Sequence, residues 1–587
     1  MIDLSALYRN WGEWEDAYCK LADRLAALLN LRGTPLTQGH QLLERYRKAC
    51  DLWELQGRLY CYAKLQRDAD AREETAGGAF QRLAQKLADM EAETAWFAAD
   101  IAQVPQATLL DWCMQTPDLQ AYEVPALEIH RSRAHRLDEA SERLIARAEP
   151  ALRGTLRAYE ALSTHVASQW TVELCDGSAV QLTPAKYREL LEHDPEQENR
   201  RRASEGCHQR YIEQGPAFAA LYAGILQKDF FHSKSRSFPS CLAAATFRDA
   251  IPESCVRALI VETRSIRSVF QRYLKLRKRL LRVSEYHLYD NSVRLYCPER
   301  ALSANLDMPQ VICDSVALMG SIYSRNLSDL FEKGCIDYLD RSGKARGAYC
   351  LSAYGVPPFI IASLTPSLTS AQTLAHECGH AMHALLADSH QPFQTATYSP
   401  IVSESVALTH ERFLIRHLDS LVVADDQRSA LCLRVLDTAF TSFFTQVMFL
   451  DFEVQAHALI ECGEAATEEA LCDLYARIAN QYFAGAVEID DFYRWTWARV
   501  GHFFRSPFYS ASYALSFVAS AKLFKGMTTG TAAEQELARI RFIDMLQSGG
   551  SRAPFELFEA AGVSVDIAGT IAAVAEEVEE QLRCFHD

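Results

Sequence analysis

Residues 369–389 read TSAQTLAHECGHAMHALLADS, and their apolar positions recur every three or four residues, the spacing of one face of an α-helix. The run predicts a helix capped by Thr369 or Ser370. His376 and His380 stand four apart, one above the other on one helix face, so both imidazoles can reach a single Zn²⁺ at about 2.0–2.1 Å. Glu377, one residue on, can reach a water at such a site without being a ligand itself. A catalytic zinc usually takes three protein ligands, so a third donor is expected downstream. Glu404 is the candidate, 404 − 380 = 24 residues past the second histidine, in VSESVALTHERFLIRHL (402–418), which reads as the next helix. Glu411 lies two turns further along the same face, where it can accept the free N–H of a ligating histidine. The competing reading of the motif is a chance pair of helix-surface histidines. His383 and His390 lack ligand spacing, and His383 is read as a hydrogen-bonded helix histidine.

The rest of the chain sets the frame for this motif. At 587 residues it is several times the size of one hydrophobic core, so two or three lobes are expected. Its 49% hydrophobic and 23% charged residues are those of an ordinary globular protein. A net charge of −16 argues against a nucleic-acid partner, and the basic run Lys275–Arg282 is interleaved with leucines as on a solvated helix face. The 17 cysteines show no C-x-x-C spacing, the pattern of thiols in a reducing compartment, and the cytoplasm is expected. The N-terminal MIDLSALYRNWGEWED has no apolar signal region. The longest uncharged stretch, 347–375, contains Pro357 and Pro358 and many hydroxyl residues, so neither a membrane span nor a membrane partner is expected.

From Leu4 to about Val166 long amphipathic segments rich in Ala, Leu, Arg and Glu predict a bundle of antiparallel helices. WTVELCDGSAVQLT (170–183) then predicts a β-hairpin turning at Asp176-Gly177, and a domain boundary is placed near residue 190. This divides the chain into an N-terminal helical lobe, 1–190, and a catalytic domain, 191–587. Between Gly334 and Ser363 a small sheet with a proline-marked edge strand is expected beside the metal helix.

Several stretches around HECGH resemble one family. RSGKARGAY (341–349) with YGVPPFI (354–360), YSPIVSESVALTHE (398–411) and WARVGHFFRSPFYSASYALS (497–516) are similar to successive motifs of the oligoendopeptidase F and thimet oligopeptidase family of zinc metallopeptidases, closest to the oligoendopeptidase F branch. The resemblance implies a mainly α, two-lobed helical zincin enclosing a deep cleft. It implies one zinc per chain on His376, His380 and Glu404, Glu377 as general base, and hydrolysis of internal bonds in short unfolded peptides. His502, Tyr509 and Tyr513 fall on the positions where the family stabilises the oxyanion, and Gly355 and Tyr354 on an edge strand that takes peptide by β-addition. Lys344 and Arg346 are read as solvated loop charges. Cys378, His410 and Ser510 depart from the family pattern, and an apparent one-residue insertion between His502 and Phe508 leaves open which tyrosine faces substrate. Monomer and homodimer both remain open. The alternatives are a carboxypeptidase or dipeptidyl-carboxypeptidase on a similar scaffold, or a peptide-binding protein with a degenerate site.

Overall fold

The segments read as amphipathic do fold as helices, beginning with Trp11–Leu29, in the computed structural model of the chain, which describes residues 2–167, 170–295, 307–365, 367–564 and 566–585. The elements that matter for function are, in chain order, α1 (Gly39–Ala69), the hairpin β1 (Thr171–Glu173) and β2 (Ala179–Gln181), α2 (Gly215–Ser235), β3 (Ile336–Leu339), β4 (Ala348–Leu351), β5 (Phe359–Leu364), α3 (Leu368–His390), α4 (Pro400–Leu421), α5 (Thr445–Glu461), α6 (Gly501–Arg505) and α7 (Tyr509–Thr528). Two compact units result, each built from separated stretches: Met1–Ala134, Glu299–Val422 and Lys522–Val563 in the first, His135–Pro298, Val423–Ala521 and Ser564–Asp587 in the second. The boundary expected near residue 190 falls inside a continuous stretch of the second unit. Among the described residues no helix is long and apolar enough to cross a membrane.

In the first unit α1 buries Leu42, Tyr46, Ala49, Leu52, Leu55 and Leu59, the three- and four-residue spacing of a helix face turned inward. Trp14 Nε1–H donates to the Leu59 carbonyl at 3.0 Å and pins helix Trp11–Leu29 to it. The last carbonyls of any helix lack intrahelical partners. Here the RSGKARGAY loop supplies them, with Ala345 N–H on Asp68 O at 2.9 Å and the Arg341 guanidinium on Ala69 O at 3.0 Å. Lys344 is therefore not a solvated loop charge. It is buried, and its ammonium donates to Asp337 Oδ1 at 2.7 Å, Asp337 O at 2.8 Å and Leu339 O at 2.9 Å, satisfying all three of its protons. Arg346 is exposed as expected.

The sheet that follows has the order β3–β5–β4, with β3 parallel and β4 antiparallel to β5. This corrects the expectation of a proline-marked edge strand. Pro357 and Pro358 precede the first paired residue, Phe359, so they remove no ladder hydrogen bond, and β5 takes the centre. Its Phe359, Ile360, Ile361 and Ala362 are all buried, as a strand covered on both faces requires. The edge strands are β3 and β4.

In the second unit β1 and β2 pair antiparallel, Val172 opposite Val180, with Gly177 supplying the left-handed turn residue at φ +80°. Arg277 is buried there, with its guanidinium on Asp437 Oδ1 at 2.6 Å, Tyr286 Oη at 2.8 Å and the Asp290 carbonyl at 3.1 Å. The basic run thus buries one of its arginines rather than leaving all of them on a solvated face.

Candidate active site

The cap of α3 is Ser367, two residues before Thr369 and three before Ser370, the two expected positions; its Oγ accepts from Ser370 N–H at 3.1 Å. The helix stops at His390, before Gln391-Pro392, where proline disfavours further α-turns. Within it Gly379 has a specific use. A Cβ there would lie 2.6 Å from Ala407 Cα and 3.1 Å from Ala407 N, so the absence of a side chain lets α3 and α4 cross in backbone contact. That close crossing carries Glu404 to the histidines.

His376 Nε2 stands 3.5 Å from Glu404 Oε2, and His380 Nε2 3.8 Å from Glu404 Oε1. Two donors at metal distances of about 2.0–2.1 Å, held tetrahedrally, lie roughly 3.3–3.4 Å apart, so the three side chains fit a divalent cation with a small inward shift. Both Nδ1 atoms are already engaged. His376 Nδ1–H donates to Glu411 Oε1 at 2.7 Å, and His380 Nδ1 shares a hydrogen bond of 2.8 Å with Ser403 Oγ, which leaves both Nε2 atoms facing the common point, where a cation would take the place of the second His376 proton. Gln372, one turn before His376, donates to the other oxygen of Glu411 at 2.5 Å. Neither Ser403 nor Gln372 was read from the sequence. Their signal was positional, one residue before Glu404 and four before His376.

Charge also favours a cation. Burial alone would depress the His376 imidazole, but the Glu411 hydrogen bond and the Glu411, Glu404 and Glu377 charges outweigh it and raise it to about 9. Burial pushes His380 down to about 3 and raises the Glu377 and Glu404 carboxyls. Three carboxyl groups thus share a poorly solvated space with one imidazolium, an excess of negative charge that a divalent ion neutralises. Glu377 is buried, and the Cys350 N–H of β4 hydrogen-bonds its carboxylate.

The Tyr354-Gly355 loop lies between β4 and β5. Gly355 takes the left-handed conformation, φ +75°, and its N–H hydrogen-bonds the Asp388 carboxylate, while Tyr354 O–H donates to the Gln391 carbonyl at 3.0 Å. Asp388 is eight residues beyond His380, roughly 12 Å along the helix axis, so α3 carries the metal cluster in its middle and this loop at its end. His383, read as hydrogen-bonded, is instead buried with neither ring nitrogen partnered among the described residues. Its ring stacks on Tyr398 with centroids 3.5 Å apart. His410 shares a 2.7 Å hydrogen bond with Tyr323 Oη.

His502, Tyr509 and Tyr513 belong to the second unit. His502 lies on α6, and burial pushes its imidazole down to about 4, so it is neutral at pH 7. Its Nε2 is 3.2 Å from Ser510 Oγ, which in turn donates to Gln446 Oε1 at 3.1 Å. Ser510 was legible only as a departure from the family pattern. Tyr509 and Tyr513 stand one turn apart on α7, Tyr509 57% exposed and Tyr513 half-buried.

Comparison with known proteins gives the family. A model of peptidase family M3 matches residues 190–573, and a model of oligopeptidase F matches residues 100–165. The chain is 26% identical to oligopeptidase PepF of Bacillus subtilis, over 97% of this chain and 84% of that protein. It is 25% identical to the group B oligopeptidase PepB of Streptococcus agalactiae, over 99% of this chain and 95% of that protein. Its fold matches the crystal structure of oligoendopeptidase-F from Enterococcus faecium with a TM-score of 0.72 at 22% identity, covering 98% of this chain and 99% of that one. A structure from Chlamydophila abortus matches with a TM-score of 0.88 at 23% identity, covering 99% of this chain and 98% of that one. The chain belongs to peptidase family M3, on its oligoendopeptidase F branch.

Proposed function

We propose that this chain is a zinc-dependent oligoendopeptidase that hydrolyses internal bonds of short, unfolded peptides. The observation that carries the reading is the convergence of His376 Nε2, His380 Nε2 and Glu404, with Glu377 the next residue along the helix, in a chain of a peptidase family. His376, His380 and Glu404 hold one zinc ion, and Glu411 and Ser403 orient the two imidazoles. Bound zinc supplies Lewis acidity, polarising the scissile carbonyl and lowering the pKa of a water toward about 7. Glu377, whose carboxyl burial raises, takes the proton of the attacking water and returns it to the leaving amine. The Tyr513 hydroxyl, with Tyr509 beside it, donates to the developing oxyanion, and neutral His502 gives it the one N–H that Ser510 Oγ accepts in the resting site.

Peptide lies near the Tyr354-Gly355 loop, along the free edge of β4 rather than on the central β5. The edge position of β4 supports this, since only an edge strand offers unpaired backbone groups. The division at residue 190 belongs to the same proposal, supported by the start of the family M3 match. The cytoplasm is the compartment that suits sixteen described cysteines standing as thiols.

The test compares wild type with Glu377→Gln on a short internally quenched peptide, with metal content measured alongside. Internal cleavage at one zinc per chain is expected, with kcat reduced about 10²–10⁴-fold in the variant while zinc stays bound. Removal of residues only from the C-terminus would replace this reading with the carboxypeptidase. Absence of cleavage by the zinc-loaded wild type would leave a peptide-binding protein.

A further inference from the structure

The segment bearing the candidate oxyanion donors turns on a corner at Phe508. This residue adopts φ +62°, a left-handed conformation that bulky L-residues seldom enter without support. The corner joins α6, which carries His502, to α7, which starts at Tyr509. Phe508 N–H donates to Glu453 Oε1 at 2.9 Å, and the Glu453 side chain is fully buried.

Helix α5 presents a single stripe to this corner. Gln446 accepts from Ser510 Oγ–H, the Phe449 ring lies 5.7 Å from His502 centroid to centroid, Glu453 takes the Phe508 N–H, and the His457 ring lies 4.3 Å from Phe508. Their spacing, 446, 449, 453 and 457, is that of one helix face.

As a stabilising residue Glu453 is a poor choice. Among the described residues its Oε2 is buried without a hydrogen-bond partner, as is the hydroxyl of Tyr222, and an orphaned buried oxygen costs stability that an apolar side chain would not. What only a polar group supplies there is an acceptor for the Phe508 N–H. We infer that Glu453 is a positioning residue for the peptidase reaction, its carboxyl clamping the left-handed Phe508 corner that sets His502 against Ser510 and aims the first turn of α7. This rests on the proposed roles of His502 and Tyr513. Burial, opposed by the Phe508 hydrogen bond and aided by the Asp229 charge, pushes the Glu453 carboxyl up to about 8. It is therefore mainly neutral at pH 7, and glutamine is its near-isostere.

The experiment measures kcat, KM and backbone amide exchange across residues 501–513 for zinc-loaded wild type, Glu453→Gln, Glu453→Leu and Glu453→Met, with His502→Ala alongside. In the Leu and Met variants kcat should fall on the order of 100-fold, as for a reacting group displaced by about 1 Å, with KM little changed and exchange accelerated at Phe508. Glu453→Gln should restore both the turnover and the protection. The clamp is overturned if the Leu and Met variants keep wild-type exchange at Phe508, or if Glu453→Gln fails as badly as they do. An unchanged kcat in His502→Ala would instead overturn the role of His502, while exchange at Phe508 would still decide whether Glu453 holds the corner.

Discussion

Gly379→Ala should weaken metal binding by separating two helices that meet through it. In an isolated helix the change would be favourable, since alanine exceeds glycine in helix propensity by about 1 kcal/mol. In this fold the added Cβ would sit 2.6 Å from Ala407 Cα, against an ordinary contact of at least 3.4 Å, so α3 and α4 must part by at least 3.4 − 2.6 = 0.8 Å. Overpacking of this kind costs about 1–3 kcal/mol, which leaves a net destabilisation of roughly 0–2 kcal/mol. The larger effect is on the ligand set, because a metal site tolerates only about 0.2 Å in its bond lengths. With Glu404 on one helix and both histidines on the other, zinc affinity should fall about 10–100-fold or more, the range seen when groups supporting a ligand are lost. The assay is zinc titration against a chromogenic chelator, with circular dichroism to show that the helices persist. Adding Ala407→Gly should not rescue binding, because the atoms in the way are backbone. Wild-type zinc affinity and turnover in Gly379→Ala would refute the reasoning.

Two further outcomes follow from contacts around α3. Glu411→Gln removes the charge that accepts His376 Nδ1–H and should lower zinc affinity roughly 10–100-fold without unfolding the chain, again read by chelator competition; unchanged affinity would remove Glu411 from the site. Asp388 governs a pH dependence of stability. Burial, opposed by the Gly355 hydrogen bond, raises its carboxyl from 3.8 to about 6, so the folded state holds a proton that the unfolded state has released across this interval. Its stabilising contribution is complete below pH 3.8 and is lost as pH rises through about 6. Asp388→Asn should therefore gain stability relative to wild type between these limits, measured as urea midpoints across the pH range. Parallel curves for the two proteins would sink the assignment.

Much of the candidate site was legible because its parts are local. His376 and His380 are one turn apart, Glu377 is their neighbour, and Glu411 is two turns past Glu404, relations that helical periodicity sets as soon as a helix is inferred. The hairpin at 170–183 was legible for the same reason, its Asp-Gly turn lying between two alternating runs. His502 and the two tyrosines came instead from a resemblance, and their immediate support did not. Ser510, Gln446 and Glu453 lie between 8 and 56 residues from His502 in sequence, and no spacing rule connects them.

By itself, then, the sequence determined the mainly helical class, the metal motif with its downstream glutamate, and the small sheet beside it, because each depends on periods of two or 3.6 residues or on short spacings. Tertiary structure alone decided that β5 lies at the centre of that sheet and β4 at its edge, since strand order is set by non-local pairing that proline content constrains only at paired positions. It decided that Lys344 is buried on Asp337, that His383 stacks on Tyr398 with no hydrogen bond among the described residues, and that the glycine of HECGH is there for a helix crossing. Each of these depends on which distant segment arrives at a given side chain, a matter of packing between elements that no local pattern encodes.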